Sequence, residues 1–266
     1  MNGRMNAILA TVANSPSGDT MVERIVRILG AFDAEHTQLS AAELARRADL
    51  PVSSAYRITA ELTTAGLLER DAGGRLRIGM RLWELTTRGS RALALRQAAL
   101  PEMERIQASL HEHVQLGVVD GDDVLFLEQL SHPSAVSNLA AVAGRLPLHA
   151  SSSGLVLLAF GRQQLRDRVL AGPLRAVAPK TITDPAVLRR RLEAVRRDGF
   201  AVLAGSIESV ATGISVPVRD RAGSTIAALS AVVPHGWAHE RETLGALQRA
   251  ASTISGTISE YGILSH

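Results

Sequence analysis

The sequence of 266 residues contains no cysteine, so disulfide bonds, thiolate metal sites and cysteine nucleophiles are excluded. No apolar run approaches the roughly 20 residues that a membrane helix needs, because the longest candidate spans only residues 155–160. Residues 8–13, the only apolar stretch among the first 19, are too short and too weakly apolar for a signal peptide. We therefore predict a cytoplasmic protein with no membrane partner. Residues 1–19 are expected to be a flexible tail, or to precede a true start at Met21.

Lysine is also nearly absent, since Lys180 is the only lysine among 29 basic residues, and the net charge is only +3. Few groups therefore titrate between neutral and strongly alkaline pH, and the sequence pI of 10.1 overstates the positive field. Residues 70–96 carry seven arginines against two acids, whereas residues 20–81 carry nine arginines against eight acids. Any binding of phosphate must depend on where the arginines lie rather than on bulk charge.

The residues that are present predict two short helices around a tight turn at residues 40–66. Ser40 and Glu43 have the spacing of a capping box, which marks a helix start. Asp49 tolerates the left-handed conformation that the turn needs, and Pro51 fits the first turn of a second helix. In the second helix the core face repeats at helical spacing, and Gly66 ends it. That face consists of Ala55, Ile58, Leu62 and Ala65.

The opposite face of the second helix carries hydroxyl groups, one cation and one aromatic ring near its N-terminus. A helix fits the major groove of DNA, where such groups reach base edges and phosphates. Residues 67–79 read as strand, glycine turn and strand, which predicts a hairpin wing directly behind that helix. Plain helical packing is the alternative, and the wing disfavours it. The predicted DNA-binding residues are Ser40, Val52, Ser53, Ser54, Tyr56, Arg57, Arg75 and Arg77.

The remaining pattern predicts an α+β protein with two domains. Residues 21–32 supply a third helix for the DNA-binding module of residues 20–81, and residues 82–100 read as a linker helix that is interrupted at Pro101. Residues 101–266 alternate strand patterns with helix patterns, so we expect an antiparallel sheet with helices packed on it. Strands are predicted at 114–119, 124–130, 202–203, 213–218 and 225–233. Helices are predicted at 102–113, 151–160, 163–170, 185–198 and 239–261.

From Met21 onward, the chain resembles the IclR family of bacterial transcriptional regulators. The resemblance rests on short segments whose order and spacing agree: residues 43–45, 50–57, 66–68, 144–150, 199–201 and 228–230, with Pro217 and Pro234. It implies an N-terminal winged helix-turn-helix, a linker helix and a C-terminal GAF-like domain that binds a small effector. It also implies a homodimer or homotetramer that binds a partly palindromic operator in double-stranded DNA, with no cofactor, no metal site and no catalytic residues.

The resemblance further implies where the effector binds. The Ser151 to Ser153 triplet precedes a helix whose free N–H groups favour an anion, although the triplet is equally well read as a plain N-cap. Where relatives carry acids, this chain has Leu203, with Glu208 displaced along the sequence, so the pocket is expected to suit a fairly apolar carboxylate. The implied effector-binding residues are Leu146, His149, Ser151, Ser152, Ser153, Leu203, Glu208, Gly213, Ser215, Ser230 and Val232.

Two other classes stay open at the level of sequence. An enzyme would need a buried His149 that touches a serine and a carboxylate in one pocket, and the sequence has no GxSxG, GxGxxG or Walker A motif. His111 and His113 would point to different faces of a helix, and His235 and His239 lack a nearby third ligand, so neither pair predicts a zinc site. The third class is a DNA-binding dimer whose second domain holds no ligand.

Overall fold

The computed structural model describes residues 19–136 and 142–260. The chain divides into two compact units, Met1–Gly89 and Ser90–His266. Residues 1–18 of the predicted tail at 1–19, and the end of the last predicted helix at Tyr261, lie outside the described residues. The predicted domain boundaries at residues 81 and 100 stay predictions. In the described parts of the chain, no helix is long and apolar enough to cross a membrane.

The first unit contains helices α1 (Met21–Leu29), α2 (Ala41–Arg47), α3 (Val52–Thr64) and α4 (Met80–Gly89), with strands β1 (Leu68–Arg70) and β2 (Leu76–Ile78). The two strands form an antiparallel hairpin behind α3, which confirms the predicted wing. Ser40 caps α2 in a capping box with Glu43, and Asp49 adopts a φ of 50° in the turn, both as predicted. Pro51 lies at the N-cap of α3 rather than within its first turn.

The core of this unit is small and is built from one face of each helix together with the hairpin. Ile28, Leu44 and Ile58 are almost fully buried in it, and Leu68 and Leu76 bring in the two strands. On α3 the predicted core face is confirmed except at Ala65, which is exposed because the helix has already ended at Thr64. The exposed face of α3 is therefore held in place by its buried face.

The helices that follow correct one prediction. The break expected at Pro101 is absent. Helix α5 (Arg91–Leu110) continues through that proline without interruption. The break lies instead at Ser90, whose hydroxyl accepts a hydrogen bond from the N–H of Leu93 and starts α5. Buried side chains on both sides of the proline, Leu95, Ala99, Met103 and Ile106, dock α5 along its length, and this packing offsets the cost of proline inside a helix.

The second unit is built on a six-stranded antiparallel sheet with the strand order β5-β4-β3-β8-β7-β6. Its strands are β3 (His113–Asp120), β4 (Asp123–Leu130), β5 (Arg145–Pro147), β6 (Ala201–Ala204), β7 (Ala211–Arg219) and β8 (Thr225–Pro234). Its other helices are α6 (Ser152–Phe160), α7 (Gln163–Ala171), α8 (Pro185–Asp198) and α9 (Glu240–Glu260). The predicted α+β class is confirmed, and only the short edge strand β5 was missed by sequence reasoning.

The two faces of the sheet pack against different helices. Alternate residues of β7 and β8, such as Ile214 and Leu229, face α5 and α9 and form one core with them. The residues between them, such as Gly213 and Ser230, face the side where α6 crosses the sheet. Phe126 of β4 and Leu155 of α6 belong to one buried apolar cluster, which joins α6 to this second face. The face under α6 is therefore lined near its centre by small residues, namely Gly213 and Ser215 on β7 and Ala228 and Ser230 on β8.

Candidate functional site

The exposed face of α3 presents the side chains that were predicted to contact DNA. Val52, Ser53, Tyr56 and Arg57 are exposed, and Ser54 is half-buried. No side chain caps the N-terminus of this helix, because its N-cap is Pro51. Among the described residues, the N–H groups of its first turn therefore remain available to a phosphate, which the helix dipole also favours.

Each predicted DNA-contacting arginine is paired with a glutamate. Arg57 contacts Glu61 at 2.8 Å one helical turn away, and Arg77 contacts Glu69 at 2.9 Å across the hairpin. Arg75 lies 3.3 Å from Glu43 and also donates to the carbonyl oxygen of Gln38 at 2.7 Å. Such exposed pairs contribute only about 0–1 kcal/mol, so a phosphate group can compete for the arginines.

Two of these glutamates are held as anions by the structure. The backbone N–H of Ser40 donates to Glu43 at 2.7 Å, and this bond, more than the nearby Arg75, lowers the pKa of Glu43. The backbone N–H of Met80 donates to Glu69 at 2.9 Å and, with Arg77, lowers the pKa of Glu69. Ser40 thus has its hydroxyl engaged in the cap of α2, and the wing has its charges fixed in position.

In the second unit a cavity lies between α6, the sheet and the segment that joins β6 to β7. The space between its atoms is about 460 Å³, a figure that includes the open mouth of the cavity. Its walls are mainly apolar, with a few polar groups that converge on the interior. The lining residues are Gln115, Phe126, Leu146, Ala150, Ser151, Ser152, Ser153, Leu203, Ser206, Ile207, Glu208, Ala211, Gly213 and Val232.

The N-terminus of α6 opens into this cavity. The hydroxyl of Ser151 accepts the N–H of Gly154 at 3.0 Å and so caps the helix. Within the described residues, the N–H groups of Ser152 and Ser153 have no partner. The sequence left the serine triplet open between a cap and an anion site, and the structure shows that Ser151 is the cap while the next two N–H groups stay available.

Two glycines allow α6 to lie close to its neighbours, Gly213 on the side of the sheet and Gly154 on the side of the segment after β5. A Cβ on Gly213 would lie 2.5 Å from the hydroxyl oxygen of Ser152, so a side chain there would press on the cavity. A Cβ on Gly154 would lie 2.1 Å from the carbonyl oxygen of Leu148, which is backbone and has no room to move. The shape of the cavity at the start of α6 therefore depends on these two positions.

We expect Gly154→Ala to destabilise the second unit by about 3 kcal/mol, because the added methyl group must displace the backbone at Leu148. A melting temperature lower by roughly 6–12 °C, measured by calorimetry, is the expected result. Gly256→Ala is the matched control, since its Cβ meets nothing within 4 Å and the residue lies in α9. Equal melting temperatures for the two variants would contradict the close approach of α6.

The segment between β6 and β7 carries the other polar groups of the cavity. Ser206 is buried, and Glu208 is half-buried with one carboxylate oxygen, Oε1, out of contact with solvent. Neither the hydroxyl oxygen of Ser206 nor Oε1 of Glu208 has a hydrogen-bond partner among the described residues. Buried polar atoms are paired in most folded proteins, so two orphaned atoms in one cavity are compatible with a bound ligand.

Three of the effector-binding residues expected from the sequence do not line the cavity. His149 is buried, but its Nε2 donates to the carbonyl oxygen of Arg175 at 2.9 Å, and the residue faces a separate depression beside Asp122 and Asp123. Ser215 donates to the carbonyl oxygen of Leu229, and Ser230 accepts from Ser153 at 2.9 Å. These serines lie beneath the cavity floor. The His149 contact also differs from the arrangement that an enzyme with a His149-centred site requires.

The cavity also contains residues that sequence reasoning did not assign to it. Gln115 and Phe126 face it from β3 and β4, and Ala150, Ile207 and Ala211 complete its wall, together with Ser206. A glutamine in a mostly apolar strand was an available signal, because a buried polar side chain needs a hydrogen-bond partner, and Gln115 donates to Gln129 at 3.4 Å. In the described ranges no group of three or more metal-binding side chains comes together.

Comparison with known families matches both units. The model described as the IclR helix-turn-helix domain matches residues 21–72, and the model described as the bacterial transcriptional regulator IclR C-terminal domain matches residues 90–256. The two matches cover α1 to β1 in the first unit and nearly all of the second.

Individual relatives agree with the family models. The crystal structure of an IclR homolog complexed with 4-hydroxybenzoate, from Microbacterium hydrocarbonoxydans, is 51% identical and has a TM-score of 0.84; the match covers 90% of this chain and 99% of that one. The Pca regulon regulatory protein of Pseudomonas putida is 28% identical over 220 residues, covering 81% of this chain and 74% of that protein. KipR of Bacillus subtilis is 27% identical over 193 residues, covering 72% and 77%.

Proposed function

The chain belongs to the IclR family of DNA-binding transcriptional regulators, and from that premise we propose that an aromatic carboxylate is its effector. The effector binds in the α6 cavity and changes the affinity of the chain for a specific operator. The observation that carries the proposal is the cavity itself, in which two unpaired N–H groups at the start of α6 meet apolar walls.

The chemistry of the cavity supports a carboxylate with an apolar body. Unpaired N–H groups at a helix start favour an anion through direct hydrogen bonds and through the helix dipole. Phe126, Leu146, Leu203 and Val232 supply apolar surface around that anion-binding end. The relative from Microbacterium hydrocarbonoxydans, which is 51% identical, was crystallised with 4-hydroxybenzoate, an acid that combines one carboxylate with an aromatic ring.

The DNA contacts are proposed to come from α3 and the wing. Base edges are read by the exposed side chains at the start of α3, and phosphates are bound by its N–H groups and by Arg75 and Arg77 on the hairpin. Because these arginines pair with Glu43 and Glu69, binding replaces weak surface ion pairs with bonds to phosphate.

A homodimer, or a tetramer made of such dimers, is proposed as the DNA-binding form. Helix α4 has no buried residue, and Trp83 is 61% exposed between Met80 and Leu85, which are also exposed. Val22 and Val26 lie exposed one turn apart on α1. Apolar surface of this kind marks an interface, and a second copy of this chain is the occupant that a partly palindromic operator requires. Light scattering that returned the mass of one 28.3 kDa chain would contradict it.

Effector binding and operator binding are linked through the placement of the two DNA-binding heads, which are the first units of the two protomers of a dimer. Half-sites of such operators lie about 34–36 Å apart, so a small change in the spacing of the heads alters the fit. A coupling free energy of about 1–3 kcal/mol corresponds to a change of roughly 5- to 150-fold in DNA affinity.

Fluorescence anisotropy tests the proposed function directly. The full chain is titrated, at about 0.15 M salt, onto the intergenic DNA beside its own gene and onto a scrambled duplex, with and without 4-hydroxybenzoate. We expect a preference of about 10³ or more for the native DNA, and a shift of that affinity by the acid. Equal weak binding to both duplexes would contradict operator recognition. An unchanged affinity with bound acid would contradict the linkage.

A further inference from the structure

One polar group of the cavity is not explained by a ligand that offers only a carboxylate. Glu208 lines the cavity, its Oε1 is buried without a hydrogen-bond partner, and within the described residues Glu208 forms no ion pair. A carboxylate oxygen accepts hydrogen bonds and donates none, so a second carboxylate placed against it is repelled. The ligand must therefore meet Glu208 with a different group.

The position of Glu208 is fixed by its own backbone segment. The N–H of Ala211 donates to the carbonyl oxygen of Glu208 at 3.1 Å, and the N–H of Gly205 donates to the carbonyl oxygen of Ala211 at 2.9 Å. The hydroxyl of Thr181 donates to the carbonyl oxygen of Ser206 at 2.6 Å. Gly205 adopts a φ of 70°, which makes the sharp turn into this segment possible. The side chain of Glu208 is thus presented to the cavity by an anchored turn.

We propose that Glu208 determines effector specificity by accepting a hydrogen bond from a donor on the aromatic ring, such as a phenolic hydroxyl group. This rests on the proposed function, in which the ligand carboxylate binds the N–H groups of Ser152 and Ser153. The carboxylate avoids Glu208 because like charges repel, so the two groups orient the ligand with its donor toward Glu208. The favoured ligands are therefore hydroxylated aromatic acids rather than aromatic acids in general.

The expected preference comes from pairing a buried carboxylate oxygen. A hydrogen bond to a charged group contributes more than one between neutral groups, and leaving a buried acceptor unpaired carries its own cost. A ligand without the donor leaves Oε1 of Glu208 unpaired, whereas a ligand with the donor supplies the partner that this buried atom lacks. We expect a discrimination of about 10- to 100-fold against such a ligand, in line with sites built to bind a substrate hydroxyl group.

Isothermal titration calorimetry tests the role of Glu208, with three acids titrated into the full native chain and into two Glu208 variants. The acids are 4-hydroxybenzoate, benzoate and 4-methylbenzoate, of which the last matches the hydroxyl group in size but donates nothing. The native chain is expected to bind 4-hydroxybenzoate at least about 10-fold more tightly than either other acid. Glu208→Met removes the acceptor oxygens at similar length, and it is expected to bind 4-methylbenzoate at least as tightly as 4-hydroxybenzoate. Glu208→Gln keeps a neutral acceptor and is expected to retain part of the preference.

Control measurements distinguish a failure of the Glu208 role from a failure of the proposed effector site. Benzoate binding by each variant reports that the cavity is folded, and Glu240→Gln, which removes an exposed charge on α9, is the matched control for loss of a carboxylate. If the native chain binds all three acids equally, or if Glu208→Met keeps the full preference for the hydroxyl group, the role of Glu208 is overturned while the carboxylate site stands. If none of the acids binds, the proposed effector is overturned, and the role of Glu208 with it.

Discussion

Ser152→Asp is expected to reduce the affinity for 4-hydroxybenzoate by at least about 100-fold. The new carboxylate lies at the first position of α6, beside the N–H groups that are proposed to bind the ligand anion. It occupies those groups itself and repels the ligand. Two unit charges about 4 Å apart interact by roughly 4 kcal/mol at an effective dielectric constant of 20, which corresponds to about 10³-fold in affinity. Calorimetric titration of the variant measures the loss.

Ser152→Asn is the matched control, because asparagine has the size of aspartate without its charge. We expect it to lose much less affinity than Ser152→Asp. Both variants place a larger side chain at a buried position beside Gly213, so we expect both to lower the melting temperature of the ligand-free chain by a similar amount. Equal affinities for the two variants would show that the ligand carboxylate does not bind at the start of α6.

Arg57→Ala is expected to weaken operator binding by roughly 30-fold or more. One good contact between arginine and guanine is worth about 1–3 kcal/mol, and in a homodimer the substitution removes the contact from both heads, so the loss doubles. Anisotropy titrations on the operator and on a scrambled duplex measure it. A loss confined to the operator would identify Arg57 as a base contact, whereas an equal loss on both would identify a phosphate contact.

Two further variants sharpen this test. Glu61→Gln removes the carboxylate that pairs with Arg57 at 2.8 Å, and it is expected to tighten DNA binding because the guanidinium is released and a negative charge near the phosphates disappears. Arg190→Ala removes an exposed arginine of α8 in the other unit and is expected to leave DNA binding unchanged. If Arg57→Ala changes affinity for neither duplex, α3 is not the helix that reads the operator.

Local patterns in the sequence determined much of this protein. The capping box at Ser40, the left-handed turn at Asp49 and the glycine-rich hairpin turn predicted the helix-turn-helix and the wing, because each depends on residues only a few positions apart. The strands and helices of the second unit were predicted from their periodicity in the same way. The short strand β5 was not predicted, because three residues are too few for an alternating pattern to be recognised.

Only the tertiary structure determined which side chains come into contact. The periodicity of α5 did not reveal that packing on both sides of Pro101 would keep the helix continuous. The sequence placed His149 beside the serine triplet, yet the chain turns there so that His149 bonds to Arg175 while Ser152 and Ser153 face the cavity. The unpaired oxygen of Glu208 likewise depends on strands and turns that are distant in sequence. Short-range propensities fix secondary structure, but the partner of a buried polar group is set by long-range packing, and that pairing determines what the cavity can bind.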